Sequence, residues 1–331
     1  MSTPIIAFFN NREGIGKTSL VYHLAWMYTE LGKRVVVADL DPQANLTIAF
    51  LDEEQLEPLW LDSDSPHSIF GSVLPLIGGT GDIAPPYLEL IDDGLALLVG
   101  DMALSGVEDE LSGVWPKCLD TNSHAFRVMS AFWRLMQQAA DMHQADLLLM
   151  DLGPNLSAIN RAALIAADHV VVPLAPDLLS LQGLRHLGPT LRRWRAEWQE
   201  RLKKNSVEGL SLPPGHMHPV GYIVLQHSVR LDRPVQAYER WMGCMPTVYR
   251  SALLGKSGKH NTSIADDPHC LALLKSHRSL IPLAQEIRKP MFQLKPADGA
   301  LGSHLQAVQR AYHDFEALAR EIVERTTIQV L

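Results

Sequence analysis

A chain of 331 residues that is 47% hydrophobic and 20% charged carries enough apolar material for a sizeable core. No apolar run reaches the roughly 18 residues of a membrane span, which excludes an integral helical membrane protein. The formal net charge of −8 is unevenly spread: no Lys or Arg lies between Arg34 and Lys117, where 16 acids fall, so the remainder stands at +8. An acidic total therefore does not exclude a nucleic-acid face, because steering follows the local field.

The opening residues MSTPIIAFFNNR have neither a basic start nor a long apolar stretch, so no secretory leader is expected. Cys118, Cys244 and Cys270 are too scattered for a disulfide framework and fit a reducing cytoplasm. Residues 5–10 are a short apolar run ending in a glycine loop, and read as a strand. Leu20, His23, Leu24 and Met27 then recur at helical spacing, and Gly32 closes that helix. Residues 33–39 are β-branched and read as a buried strand, completing a βαβ unit. Residues 52–93 are acidic and rich in Pro and Gly, and predict a loop-rich insertion with short helices. Further strands are expected at 94–100, 146–151, 169–173 and 221–225, and helices at 123–143, 152–167, 266–286 and 301–325. Six parallel strands interleaved with helices predict an α/β fold, a doubly wound and mostly parallel sheet flanked by helices. The expectation is one domain over 1–331.

Residues 11–19 read Asn11-Arg12-Glu13-Gly14-Ile15-Gly16-Lys17-Thr18-Ser19. Gly16-Lys17-Thr18 at the point where a strand becomes a helix is the end of a phosphate loop. Glycines let backbone N–H groups turn around a phosphate, and the helix N-terminus adds its positive end. Lys17 would lie against β- and γ-phosphate oxygens, and the Thr18 hydroxyl would ligate Mg²⁺. Asp151 ends an apolar strand, where a carboxylate is costly unless it is solvated or faces a cation. Asp39 and Asp151 are alternatively helix caps.

The loop resembles the deviant phosphate loop of the ParA/MinD family of partitioning and positioning ATPases, Lys-Gly-Gly-Val-Gly-Lys-Thr. Asp39-Leu40-Asp41-Pro42-Gln43-Ala44-Asn45 is similar to that family's second motif, Asp151-Leu152-Gly153-Pro154 to its Walker B segment, and Ser180-Leu181-Gln182-Gly183-Leu184 to a further motif of the ParA branch. The resemblance implies a P-loop ATPase with ATP and Mg²⁺ as cofactors. The nucleotide would sit on Glu13, Gly14, Ile15, Gly16, Lys17, Thr18 and Ser19. Mg²⁺ would be held by Thr18, with Asp41 and Asp151 acting through water. Catalysis would rest on Lys17, on Asp41 orienting the attacking water, and on Arg12. Arg12 stands where the family has a lysine that crosses a dimer to the partner's phosphates. Glu13 replaces a glycine, which threatens the loop with a repelling carboxylate and with the loss of a residue free to adopt φ > 0. The partners so implied are a second copy in an ATP-dependent homodimer, non-specific DNA and a ParB-like activating protein.

Seven Lys or Arg fall between Gly183 and Asn205 (Arg185, Arg192, Arg193, Arg195, Arg201, Lys203 and Lys204), against Glu197 and Glu200. An apolar stripe of Leu184, Leu187, Leu191, Trp194, Trp198 and Leu202 should pack inward and turn the arginines to water, with a kink at Gly188-Pro189. By the resemblance, Arg185, Arg192 and Arg193 are the candidates for DNA phosphates. Two alternatives stand beside the ParA-like reading. A MinD-like positioning ATPase would carry a basic amphipathic terminal helix, but residues 322–331 hold one Arg and one Glu, so no membrane partner is expected. A nucleotide-gated scaffold would follow if Glu13 disables hydrolysis.

Overall fold

The strands follow in the order β1 (Ile5–Phe8), β2 (Val35–Leu40), β3 (Glu89–Asp92), β4 (Leu95–Leu98), β5 (Leu147–Leu152), β6 (His169–Leu174), β7 (His218–Gln226) and β8 (Cys270–Lys275). The structure is a computed structural model that describes residues 2–61, 67–226, 235–256, 258, 262–275 and 279–328. Among the described residues the strands form one sheet ordered β3-β4-β2-β5-β1-β6-β7-β8. Every pairing is parallel except β3 with β4. All residues of β1, β2, β4, β5 and β6 are buried, as helices on both faces of a parallel sheet require.

Strand alternation divides the core in two. Ile5, Ala7, Val36 and Ala38 face one helical layer: α4 (Ile69–Ile77), α5 (Glu108–Lys117), α6 (Ser123–Met129), α7 (Ala131–His143), α8 (Ala158–Ala166), α9 (Leu178–Leu202) and α10 (Val235–Ala252). Ile6, Phe8, Val35 and Val37 face the other: α1 (Lys17–Glu30), α2 (Asn45–Phe50), α3 (Glu53–Leu61), α11 (Ile281–Glu286) and α12 (Ser303–Ile328). This is the doubly wound architecture expected, with six of the strands where the apolar runs put them. Strand order diverges on either side of β1, so the crevice for a ligand opens at its carboxyl end.

The structure departs from expectation at four places. Within 52–93 the stretch before Gly94 is an antiparallel edge strand, β3. The helix expected over 266–286 is instead β8 followed by the short α11, because Pro282 favours the first turn of a helix and a six-residue apolar run suits a strand equally well. The helix expected over 123–143 is interrupted at Ser130. In contrast, α9 runs as one 25-residue helix through Pro189. At Gly188 it lies so close to α10 that a Cβ there would stand 2.0 Å from the Ala252 carbonyl oxygen. That packing holds the helix together where its backbone loses a donor.

Candidate nucleotide site

Beyond β1 the chain turns through Gly14 and Gly16, both left-handed at φ +71° and +89°, and enters α1. Glycine reaches these angles without steric cost. Glu13 does not have a positive φ, and its side chain is exposed, so replacing the family glycine brings no backbone strain here. Gly16 caps α1 with no side-chain hydrogen bond, which leaves the leading N–H groups of the helix to a ligand anion. The loop opens onto a cleft of about 700 Å³. Gly14 to Ser19, Tyr22, His23, Asp41 and Pro154 line it, and Ile281, Ala284, Arg288 and Met291 add a far wall from much later in the chain.

The register of β2 on β5 sets Asp39 opposite Asp151, so the carboxylates gather beside the loop. Thr18 Oγ1 donates to Asp151 Oδ2 at 2.6 Å. Asp151 Oδ1 is buried with no hydrogen-bond partner. Burial pushes this carboxyl up to about 6, against the pull of Lys17 and the Thr18 hydroxyl. An orphaned buried oxygen beside a hydroxyl and a lysine fits a hydrated divalent cation, and the all-oxygen set of Thr18, Asp41 and Asp151 suits Mg²⁺. Asp151 does not cap the following helix: Ser157 Oγ accepts from the Asn160 amide at 3.2 Å, and Glu108 takes the Ala158 and Ile159 amides at 2.6 and 2.9 Å.

Asp39 behaves differently. Its Oδ2 accepts from both the amide and the hydroxyl of Thr47 at 2.8 Å, and Thr47 Oγ1 accepts from the Gly100 amide at 2.8 Å. Burial, reinforced by Asp151, pushes Asp39 up to about 7. It anchors the first turn of α2 and thereby the Asp41 segment, where Asp41 Oδ1 accepts from the Gln43 amide at 3.0 Å.

A family model described as an AAA domain matches residues 3–204. The chromosome-partitioning ATPase Soj of Thermus thermophilus is 31% identical over 198 residues, which span 60% of this chain and 65% of Soj. The chromosome partitioning protein ParA of Caulobacter vibrioides is 27% identical over 203 residues, spanning 61% and 67%. The chain belongs to the ParA/MinD family of P-loop ATPases. Solved structures share the fold over nearly the full length. A protein from Corynebacterium diphtheriae covers 98% of this chain and 99% of its own at a TM-score of 0.72 and 22% identity. A McdA–ATP complex from Cyanothece covers 98% and 97% at 0.63 and 14%.

Arg12, at the family's signature-lysine position, is ion-paired within its own chain. Its guanidinium contacts Asp177 and donates to Ser180 Oγ at 3.1 Å. Asp177 caps α9 by accepting from the Ser180 amide at 3.0 Å. Burial opposes its ionisation, but the Arg12 and Ser180 hydrogen bonds outweigh burial and hold its carboxyl below the usual range.

Along α9 the expected outward turn of the arginines fails for three of them. Arg192 donates to the Ala252 and Leu253 carbonyls and Arg195 to that of Met217. Arg201 donates to the carbonyls of Trp115 at 3.0 Å and Glu197 at 2.9 Å, and lies 3.8 Å over the Trp115 ring. The cause is packing: α10, the loop before β7 and, for Arg201, α5 bring carbonyl oxygens within reach. Arg185 and Arg193 are exposed, Arg193 standing 4.0 Å from Glu197.

Sequence reasoning missed Thr47, the Asp177–Ser180 seat of Arg12 and the whole far wall of the cleft. Of these, only Asp177 followed by Ser180 carries a local signal, that of a helix cap.

Proposed function

We propose that the protein is an ATP-dependent ParA-like switch that binds ATP with Mg²⁺, pairs with a second copy, and hydrolyses ATP slowly when a ParB-like partner activates it. The observation that carries this reading is the Asp151 carboxylate, buried beside Lys17, bonded on one oxygen to Thr18 and unpartnered on the other. Lys17 would neutralise the β- and γ-phosphates. Thr18 and Asp151 would hold the cation, and Asp41 would orient water for in-line attack. The cation supplies charge neutralisation across the phosphates. Arg12 would leave Asp177 and Ser180 for the partner's phosphates as the dimer forms, a role that its planar fork suits.

Non-specific DNA binding in the dimer would rest on exposed Arg185 and Arg193, with Arg192 contributing only through the fold. Such contacts need phosphates and no base reading. The role that follows is plasmid or chromosome partition, or cargo positioning, in the cytoplasm and at the nucleoid. Among the described residues no helix is long and apolar enough to cross a membrane. The test is phosphate release with and without duplex DNA, beside sedimentation with ATP. Turnover together with an ATP-dependent dimer supports the switch. A dimer without turnover supports the nucleotide-gated scaffold instead, and Glu13→Gly should then restore hydrolysis.

A further inference from the structure

The cleft joins the phosphate loop and α1, near the start of the chain, to a far wall drawn from residues 281–291, and two side chains of α1 tie the parts together. Tyr22 Oη donates to the Arg288 carbonyl at 2.9 Å. His23, only 5% exposed, sets Nδ1 at 2.6 Å from the Ser19 carbonyl oxygen and Nε2 at 3.1 Å from the Met291 amide nitrogen. A backbone amide can only donate, so Nε2 must be the acceptor and the proton resides on Nδ1, where it is given to Ser19. One neutral tautomer satisfies both partners. Stacking on Phe315 of α12, at 5.0 Å and 20°, and an edge contact with Phe292 fix the ring plane.

Ser19 ends the phosphate loop, and Met291 closes the segment whose Ile281, Ala284 and Arg288 line the far end of the cleft. The Met291 residue is buried, so an amide there without an acceptor would be orphaned, and the segment would have to shift to hydrate it. We propose that His23 is a positioning residue: its Nε2 acceptor sets the far wall, which receives the nucleoside, at a fixed distance from the phosphate seat. The inference rests on the nucleotide reading above. It implies that phosphates alone, which touch only the loop, are indifferent to His23, whereas a whole nucleotide is not.

The experiment compares Mg-ATP and Mg-tripolyphosphate binding by calorimetry in the full chain, in His23→Phe and in His23→Gln. Phenylalanine keeps a ring but offers no acceptor; glutamine can present an oxygen near the Nε2 position. His23→Phe should lose about tenfold or more in ATP affinity and stay within about twofold for tripolyphosphate, with His23→Gln recovering most of the loss. Unchanged ATP affinity in His23→Phe, equal losses for both ligands, or a glutamine variant no better than phenylalanine overturns the positioning role. Imidazole ¹⁵N spectra of the unaltered protein should show the Nδ1–H tautomer; the Nε2–H tautomer also overturns it. An unaltered protein that binds neither ligand overturns the nucleotide reading itself and this inference with it.

Discussion

Cations and carboxylates crowd both the phosphate loop and α9, yet the two regions use them in opposite ways. At the loop, capacity is left over: Asp151 keeps a buried oxygen without a partner, and the first turn of α1 has no side-chain cap. Along α9 most of the capacity is spent, since Arg192, Arg195 and Arg201 all donate to main-chain carbonyls and only Arg195 Nε stays buried without a partner among these three. Charge density in a sequence therefore does not by itself mark a binding face. What marks one is polar capacity that the fold leaves unused, because an unsatisfied buried group costs about 1–3 kcal/mol unless a ligand meets it.

Breaking the loop should have the largest effect. Lys17→Ala should abolish Mg-ATP binding in calorimetry, since it removes the charge opposite the β- and γ-phosphates. ATP affinity at the parental level would end the assignment. Asp41→Ala should retain ATP but lower phosphate release by about 100-fold, the scale of a lost water-orienting group. Turnover at the parental rate would refute that role.

The α9 side of the comparison predicts losses of stability instead of ligand. Arg201→Ala should cost about 1–3 kcal/mol in urea unfolding, through the lost bond to the Trp115 carbonyl and a lost cation–π contact. If its cost is under about 0.5 kcal/mol, the level of an ordinary surface change, the arginine is spare and the contrast collapses.

Asp267 sharpens the comparison among the carboxylates, because both of its oxygens are bonded. It accepts from Tyr222 Oη at 2.7 Å, Arg250 at 3.0 Å and the His269 amide at 3.2 Å. Burial opposes ionisation, but these bonds prevail and hold Asp267 below the ordinary carboxylate range, whereas burial leaves Asp151 raised. A depressed folded pKa contributes stability above the unfolded value and loses it as pH falls through the folded value. Asp267→Asn should thus destabilise the protein at neutral pH, and the gap from the parent should narrow in acid. A thermal-melt gap that widens with falling pH would reverse the sign.

Reversing the exposed charges should act most gently. Arg185→Glu with Arg193→Glu should weaken binding to unrelated duplexes alike and flatten the log K against log[salt] slope by about 2. Arg192→Glu should instead lower the melting temperature. A mobility shift that responds only to the Arg192 change would mean that α9 reaches DNA in a different way.

Most of the sheet and the glycine turn from β1 into α1 were legible because they are local. Buried parallel strands must be continuous apolar runs, and Gly14 and Gly16 shape the turn into α1 through spacing within a single turn of chain. β8 was not legible, since a short edge run between prolines has no distinctive period. The far wall was not legible either: His23 and Met291 stand 268 residues apart, and nothing in either neighbourhood announces the other.

By itself, the sequence determined the α/β architecture, the strand-to-helix phosphate loop and the placing of Asp41 and Asp151 at strand ends, because spacing along the chain dictates backbone geometry over short range. Tertiary structure alone decided which polar groups stay available. Arg12 rests on Asp177 across 165 residues, Arg192 is held by carbonyls 60 and 61 residues away, and Asp39 is consumed by Thr47 while Asp151 keeps an oxygen open. The physical reason is that a hydrogen bond is settled by distance in space, and packing sets that distance after the chain has folded back on itself.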